Sequence, residues 1–234
     1  MFDNLFVSVI IVAAGSSSRM KSGISKQLMK IGSKTVLQHT VSAFLSADIV
    51  DEIVVVCPEK EIELFKGLFT KVKSTKPLIF TVGGSTRQQS VFNGVRETSE
   101  CADIIAIHDG ARPLVRFNEI ESVIKNCVKF GASTLAVPVK DTVKVVKNGT
   151  VTETPDRSTL FAIQTPQVFL KEMYLRAYDK AVSEGKDYTD DCQLIESIGG
   201  NVHITLGDYT NIKITTSEDI AVAEAFLKNR GDNK

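Results

Sequence analysis

The chain has 234 residues, 43% of them hydrophobic and 24% charged, the make-up of an ordinary soluble globular protein with a sizeable core. Its 28 basic and 28 acidic residues cancel, which argues against a general nucleic-acid binder, where a basic surplus is the rule. No apolar run approaches the ~18 residues of a membrane span, and Cys57, Cys101, Cys127 and Cys192 form no C-x-x-C pair, so no membrane association and buried, reduced thiols in a cytoplasmic protein are expected.

Strand-like and helix-like runs alternate along the chain. The N-terminal "MFDNLFVSVIIV" lacks the basic start of a signal peptide, and "SVIIVAA" (8–14) reads as a first strand. It runs into a small, polar, cationic loop, "VAAGSSSRMKSGISKQ" (12–27). A helix follows over 35–47, with Val36, Leu37, Thr40, Val41, Phe44 and Leu45 on one face. Short β-branched runs at 52–57 and 77–82 predict two more strands. A helix over 85–98 is expected to start at Ser85 as N-cap and to bury Val91 and Val95. A strand at 103–109, a helix over 117–131 stopped by Gly131, and a strand at 133–139 continue the alternation. "VKVVKNGTVTET" (143–154) then reads as a β-hairpin turning at Asn148-Gly149, which extends the sheet, covers an edge or reaches a second subunit. "QTPQVF" (164–169) and "NIKITT" (211–216) are polar stretches beside strand-like or turn-like sequence, and the tail "KNRGDNK" looks frayed. The expected architecture is therefore α/β, a single domain over 1–234 with a mostly parallel central sheet and a projecting arm at about 140–157.

Ligands of such sheets lie beyond the carboxyl ends of the strands, and the unusual residues follow strands. In the opening loop Gly15 and the serines permit close backbone approach, while Arg19 and Lys26 add positive charge. Composition leaves a polyphosphate cradle and a solvated surface loop both open; neither the Walker A pattern nor G-x-G-x-x-G is present, which removes a P-loop and a dinucleotide reductase. In "HDGARP" (108–113) Asp109 ends a strand, where it can face a metal ion or simply pair with Arg112 in a structural turn. "GGSTRQQS" (83–90) brings two glycines to a helix N-terminus, and Arg87 lies in the first turn, where its charge opposes the helix dipole and asks for an acid or an anionic ligand elsewhere. Lys213 alternates with Ile212 and Ile214; it faces solvent or, if turned to the pocket, a phosphate. No G-x-S-x-G or Ser/His/Asp order occurs, and these groups suit transfer at phosphorus, where positioning and charge neutralisation do most of the catalysis.

"AAGSSSRM…KQ", "GGSTRQQSV", "HDGARP", "PVKDTVK", "QTPQVF", "TDD" and "NIKITT…ED" stand in the order and spacing of one family. From about Val9 to about Leu227 the chain resembles the bacterial 2-C-methyl-D-erythritol 4-phosphate cytidylyltransferases, nucleotidyltransferases of Rossmann-like fold. The resemblance implies attack of the sugar-alcohol phosphate on the α-phosphate of CTP, with Mg²⁺ present, releasing pyrophosphate. It implies transition-state stabilisation by Arg19 and Lys26; CTP binding by Ala13, Ala14, Gly15, Gly84, Ser90 and Arg112; and a metal-facing Asp109. It further implies a sugar-phosphate site of Arg157, Lys213, Thr142, Thr165 and Thr189, and a homodimer formed through the arm, with Arg157 serving the neighbouring subunit. Ser16-Ser17-Ser18 departs from the glycine- or arginine-richer loops of many members, which leaves the triphosphate contacts of this loop open. The ribitol-5-phosphate cytidylyltransferases share the CTP half and are the nearest alternative; Asp156-Arg157 ahead of the "QTPQ" turn favours methylerythritol phosphate.

Overall fold

The computed structural model describes residues 4–15 and 25–231; Arg19 and Ser16-Ser17-Ser18 lie outside the described residues. The chain opens with β1 (Val7–Val12), a small ribbon of β2 (Lys30–Ile31) and β3 (Lys34–Thr35), and α1 (Val36–Leu45). It continues through β4 (Glu52–Cys57), α2 (Ile62–Gly67), β5 (Leu78–Val82), α3 (Arg87–Arg96), β6 (Ile104–Asp109), α4 (Phe117–Phe130) and β7 (Ala132–Pro138). A hairpin of β8 (Val145–Lys147) and β9 (Thr150–Glu153) follows, then β10 (Phe161–Leu170), α5 (Lys171–Ser183), α6 (Asp191–Glu196), β11 (His203–Leu206) and α7 (Glu218–Arg230).

Seven strands form one sheet in the order β11-β7-β10-β6-β1-β4-β5. All neighbours run parallel except β10, which is antiparallel to both β6 and β7. Period-two alternation sends Val7, Val9 and Ile11 of β1 to one face and Ile10 to the other. The first face is covered by α1, α2 and α4 through Leu37, Phe44, Phe65, Ile120 and Ile124. The second is covered by α3, α5 and α6 through Val91, Val95, Tyr174, Ala177 and Ile195. Both faces of β1, β4 and β6 are thus dry, which is why these strands read as nearly unbroken apolar runs. From β1 the chain winds to β4 and β5 on one side, and β6 returns on the other, so a crevice opens beyond the carboxyl ends of β1 and β6.

Several local expectations need correction. The first strand stops at Val12, before the two alanines; the Ala13 N–H, given to the Val56 carbonyl, is the last rung of its ladder with β4. The N-cap of α3 is Thr86, not Ser85; the Thr86 hydroxyl accepts from the Gln89 N–H, while Ser85 turns to the Gln89 side chain. "QTPQVF" is the middle of a ten-residue strand that tolerates Pro166 because the pairing with β7 shifts between Ile163 and Gln167. The 211–216 stretch has no strand, and Lys228–Arg230 are not frayed but close α7, ended by Gly231 at φ 75°. The hairpin turns at Asn148 (φ 49°) and Gly149 (φ 78°), as a two-residue turn of this twist requires, and it forms its own two-stranded sheet without extending the main one.

Candidate active site

Three chain segments meet at the crevice: Ala13–Gly15 after β1, the turn after β6 and the loop after β5. Backbone hydrogen bonds tie them to the strand ends, from Ala13 N–H to Val56 O (2.8 Å), Gly110 N–H to Val12 O (2.9 Å) and Gly83 N–H to Cys57 O (2.9 Å). The fit leaves no room for side chains at the two glycines. A Cβ at Gly83 would lie 2.4 Å from that of Ala14, and one at Gly110 would lie 3.1 Å from that of Ala13. The next loop residue, Gly84, donates its N–H to Ser90 Oγ (3.0 Å), and that hydroxyl donates in turn to Thr86 O (2.8 Å). Ser90 is buried and fixes the loop through this pair.

Gly15, Lys26, Arg87, Asp109 and Lys213 line a recess of about 160 Å³ at this point. Three cations, Lys26, Arg87 and Lys213, therefore share the recess with one carboxylate, and Arg112 backs that carboxylate. Lys213 Nζ stands 2.8 Å and Arg112 Nε 3.5 Å from Asp109 Oδ2. Burial opposes ionisation of Asp109, but Lys213, Arg112 and Arg87 outweigh it and hold the carboxyl well below the usual carboxylate range. Arg87, in the first turn of α3, does answer to an acid: Asp191, fully buried at the start of α6, meets its guanidinium at 2.6 Å and accepts from the Tyr174 hydroxyl (3.3 Å). Burial works against the Arg87 charge, and Asp191 and Asp109 more than restore it. Arg87 thus carries a fixed positive charge into the recess from a buried anchor. The sequence signalled half of this pair through a cation misplaced against the helix dipole; Asp191 stood in the "TDD" motif with no role assigned to it.

The expected sugar-phosphate residues are dispersed. Lys213 reaches the recess. Thr165 lies buried beneath it, where its Oγ accepts from the Asp109 N–H (3.1 Å) and lies 3.0 Å from His108 Nδ1. Thr142, Thr189 and Arg157 are exposed and do not line the recess; Arg157 donates to Lys140 O (2.9 Å) at the base of the hairpin. Arg112, expected at CTP, is mostly buried and gives its Nη1 to Asn211 O (2.8 Å). Among the described residues no three His, Cys, Asp or Glu side chains gather in a metal cage. A single carboxylate among cations fits instead a hard ion shared with phosphate oxygens. A larger open recess of about 750 Å³, bordered by Lys34, His39, Pro113 and Arg230, shares no residue with this one and has no carboxylate.

The family model for 2-C-methyl-D-erythritol 4-phosphate cytidylyltransferase matches residues 7–229. A protein of that name from Caldanaerobacter subterraneus subsp. tengcongensis is 45% identical over 224 residues, covering 95% of this chain and 99% of that one. One from Clostridioides difficile is 42% identical over 220 residues, covering 94% and 93%. The crystal structure of the 4-diphosphocytidyl-2C-methyl-D-erythritol synthase of Anaerococcus prevotii superposes with a TM-score of 0.87 at 32% identity, over 97% of both chains. That of the Thermus thermophilus cytidylyltransferase gives 0.78 at 28%, over 96% of this chain and all of that one. Agreement of sequence and fold across nearly the full length places this chain in the 2-C-methyl-D-erythritol 4-phosphate cytidylyltransferase family.

Proposed function

We infer that this chain transfers the cytidylyl group of CTP to 2-C-methyl-D-erythritol 4-phosphate, giving 4-CDP-2-C-methyl-D-erythritol and pyrophosphate in the non-mevalonate isoprenoid pathway. The observation that carries the site assignment is the recess that Lys26, Arg87 and Lys213 line together with Asp109 beyond β1 and β6, Lys213 in contact with the carboxylate. An oxygen of the acceptor's phosphate attacks the α-phosphorus of CTP, and the bond to the bridging α,β-oxygen breaks with its electron pair leaving on pyrophosphate. The attacking phosphate is already anionic at neutral pH, so the scheme needs no general base. Lys26, with Arg19 from the loop, meets the charge that grows on the equatorial oxygens. Ala13, Ala14 and Gly15 present backbone to the nucleotide on one side, and Gly84, shaped by Ser90, does so on the other. Arg112 contributes to nucleotide binding through Asp109, whose carboxylate it braces.

Asp109 would hold Mg²⁺ together with triphosphate oxygens; when bound, the ion neutralises phosphate charge. Lys213 grips the phosphate of the second substrate. Thr165 supports that site from below through the Asp109 backbone. Arg157, Thr142 and Thr189 belong to the same substrate, Arg157 in the partner's site of a homodimer joined through the hairpin. A cytoplasmic enzyme fits a chain in which no described helix is long and apolar enough to cross a membrane. The test is pyrophosphate release from CTP with methylerythritol phosphate and ribitol phosphate offered separately. Release with the first at a kcat/KM at least about tenfold above the second is expected; the reverse order would transfer the assignment to a ribitol-5-phosphate cytidylyltransferase.

A further inference from the structure

Lys213 reaches the recess from a segment with no regular structure, so something other than a strand must set its position. Part of the answer is the Ile214 N–H, which donates to Ala111 O (2.8 Å). The rest is Asn211, fully buried two residues before Lys213. Its Nδ2 donates to Thr165 O (3.0 Å) and lies 3.3 Å from Gln164 Oε1. Its own carbonyl accepts from Arg112 Nη1 (2.8 Å). Arg112 reaches on to Asp109, and the Asp109 N–H returns to Thr165 Oγ. Asn211, Thr165, Asp109 and Arg112 therefore close a ring that joins the Lys213 segment, the middle of β10 and the turn after β6. The amide orientation is fixed by chemistry: flipped, Oδ1 would face two acceptors. Oδ1 itself has no hydrogen-bond partner among the described residues, a cost accepted at a site whose two donors are both used.

We propose that Asn211 is a positioning residue for the transfer reaction, tying the Lys213 segment to β10 and to the turn that carries Asp109 and so setting where the Lys213 ammonium stands. The proposal rests on the reading of Lys213 as the residue that grips the acceptor phosphate. It is tested by steady-state kinetics of the full chain with both substrates, for Lys213→Ala, Asn211→Ala, the milder Asn211→Ser, and Asn211→Ala combined with Lys213→Ala, each with a thermal melt. Lys213→Ala alone tests the underlying reading: an unchanged KM for methylerythritol phosphate would remove it, whatever Asn211 does. With that reading intact, a folded Asn211→Ala should lose about tenfold or more in kcat/KM for methylerythritol phosphate, with the KM for CTP within about threefold of wild type. In the Lys213→Ala background the same change should cost less than about threefold, because its effect is exerted through the side chain already removed. Wild-type kinetics of the folded variants, an undiminished loss in the Lys213→Ala background, or failure of both Asn211 variants to fold would each overturn the proposal. The last would leave Asn211 a purely structural residue.

Discussion

His108 stands next to Asp109 and has both ring nitrogens engaged. Nε2 lies 3.1 Å from the Arg112 carbonyl, which only accepts, so Nε2 carries the proton. Nδ1 then accepts from the Thr165 hydroxyl (3.0 Å), and that oxygen is left to take the Asp109 N–H. The neutral ring is thus part of what aims the carboxylate. Burial pushes its pKa down to about 4. Unfolded, it returns to about 6.5. The folded value lies below the unfolded one, so between these pH values the unfolded chain binds a proton that the folded chain refuses. The contribution is unaffected above about pH 6.5 and is lost as pH falls, on the order of 2–3 kcal/mol by pH 4.5. Urea unfolding at pH 7 and pH 4.5 should therefore show a smaller acid loss in His108→Gln than in the wild type; equal losses would contradict the neutral, buried assignment. Residues of this kind explain what was legible in the sequence. Asp109 and Lys213 stand out as charges ending or interrupting apolar runs and Lys26 as a charge in a small, polar loop, whereas Asn211 is a neutral amide in a loop and has neither periodicity nor charge to announce it.

The helix α3 shows why an element can carry residues that its own propensity disfavours. It presents Arg87 and the Gly84–Ser90 pair to the crevice, so its distance from the sheet matters. Gly94 sets that distance: a Cβ there would lie 2.5 Å from Ile10 Cγ2 and 2.8 Å from Val56 Cγ2. Alanine would gain about 1 kcal/mol of helix propensity. Forcing a methyl between two buried β-branched side chains costs typically about 1–3 kcal/mol, and here the packing term should win. Gly94→Ala is expected to lower Tm by roughly 2–6 °C; a higher Tm would show that the helix moves off the sheet without penalty. At this scale the sequence was most readable where burial on both faces makes a strand uniformly apolar, as in β4, whose observed span is Glu52–Cys57 as expected. It was least readable in β10, where Gln164, Thr165, Pro166 and Gln167 break the strand pattern; Gln164 and Thr165 are buried, and their carbonyls accept from Thr134 Oγ and Asn211 Nδ2.

At the scale of the whole molecule, the hairpin is the feature that a monomer does not explain. Among the described residues its strands of three and four residues pair only with each other, and an isolated two-stranded ribbon is marginal in water. Val146 and Val151, paired across it, are 54% and 55% exposed, and Phe161 and Ile163 at the start of β10 add apolar surface near its base. Exposed apolar side chains on an otherwise unsupported ribbon call for a covering partner, and a second copy of the chain offers the same surface in return. Arg157 fits that arrangement: it sits by the hairpin's base with its guanidinium on Lys140 O, outside the recess of its own chain. Replacing 145–152 by a short turn should convert a dimer to a monomer in sedimentation velocity while the seven-stranded sheet keeps its far-UV signature. Because Arg157 is then no longer delivered to a neighbouring site, the KM for methylerythritol phosphate should rise with the CTP KM nearly unchanged. An intact dimer after the deletion would refute the role of the hairpin, and a monomer with unaltered sugar-phosphate kinetics would refute the sharing of Arg157 between subunits.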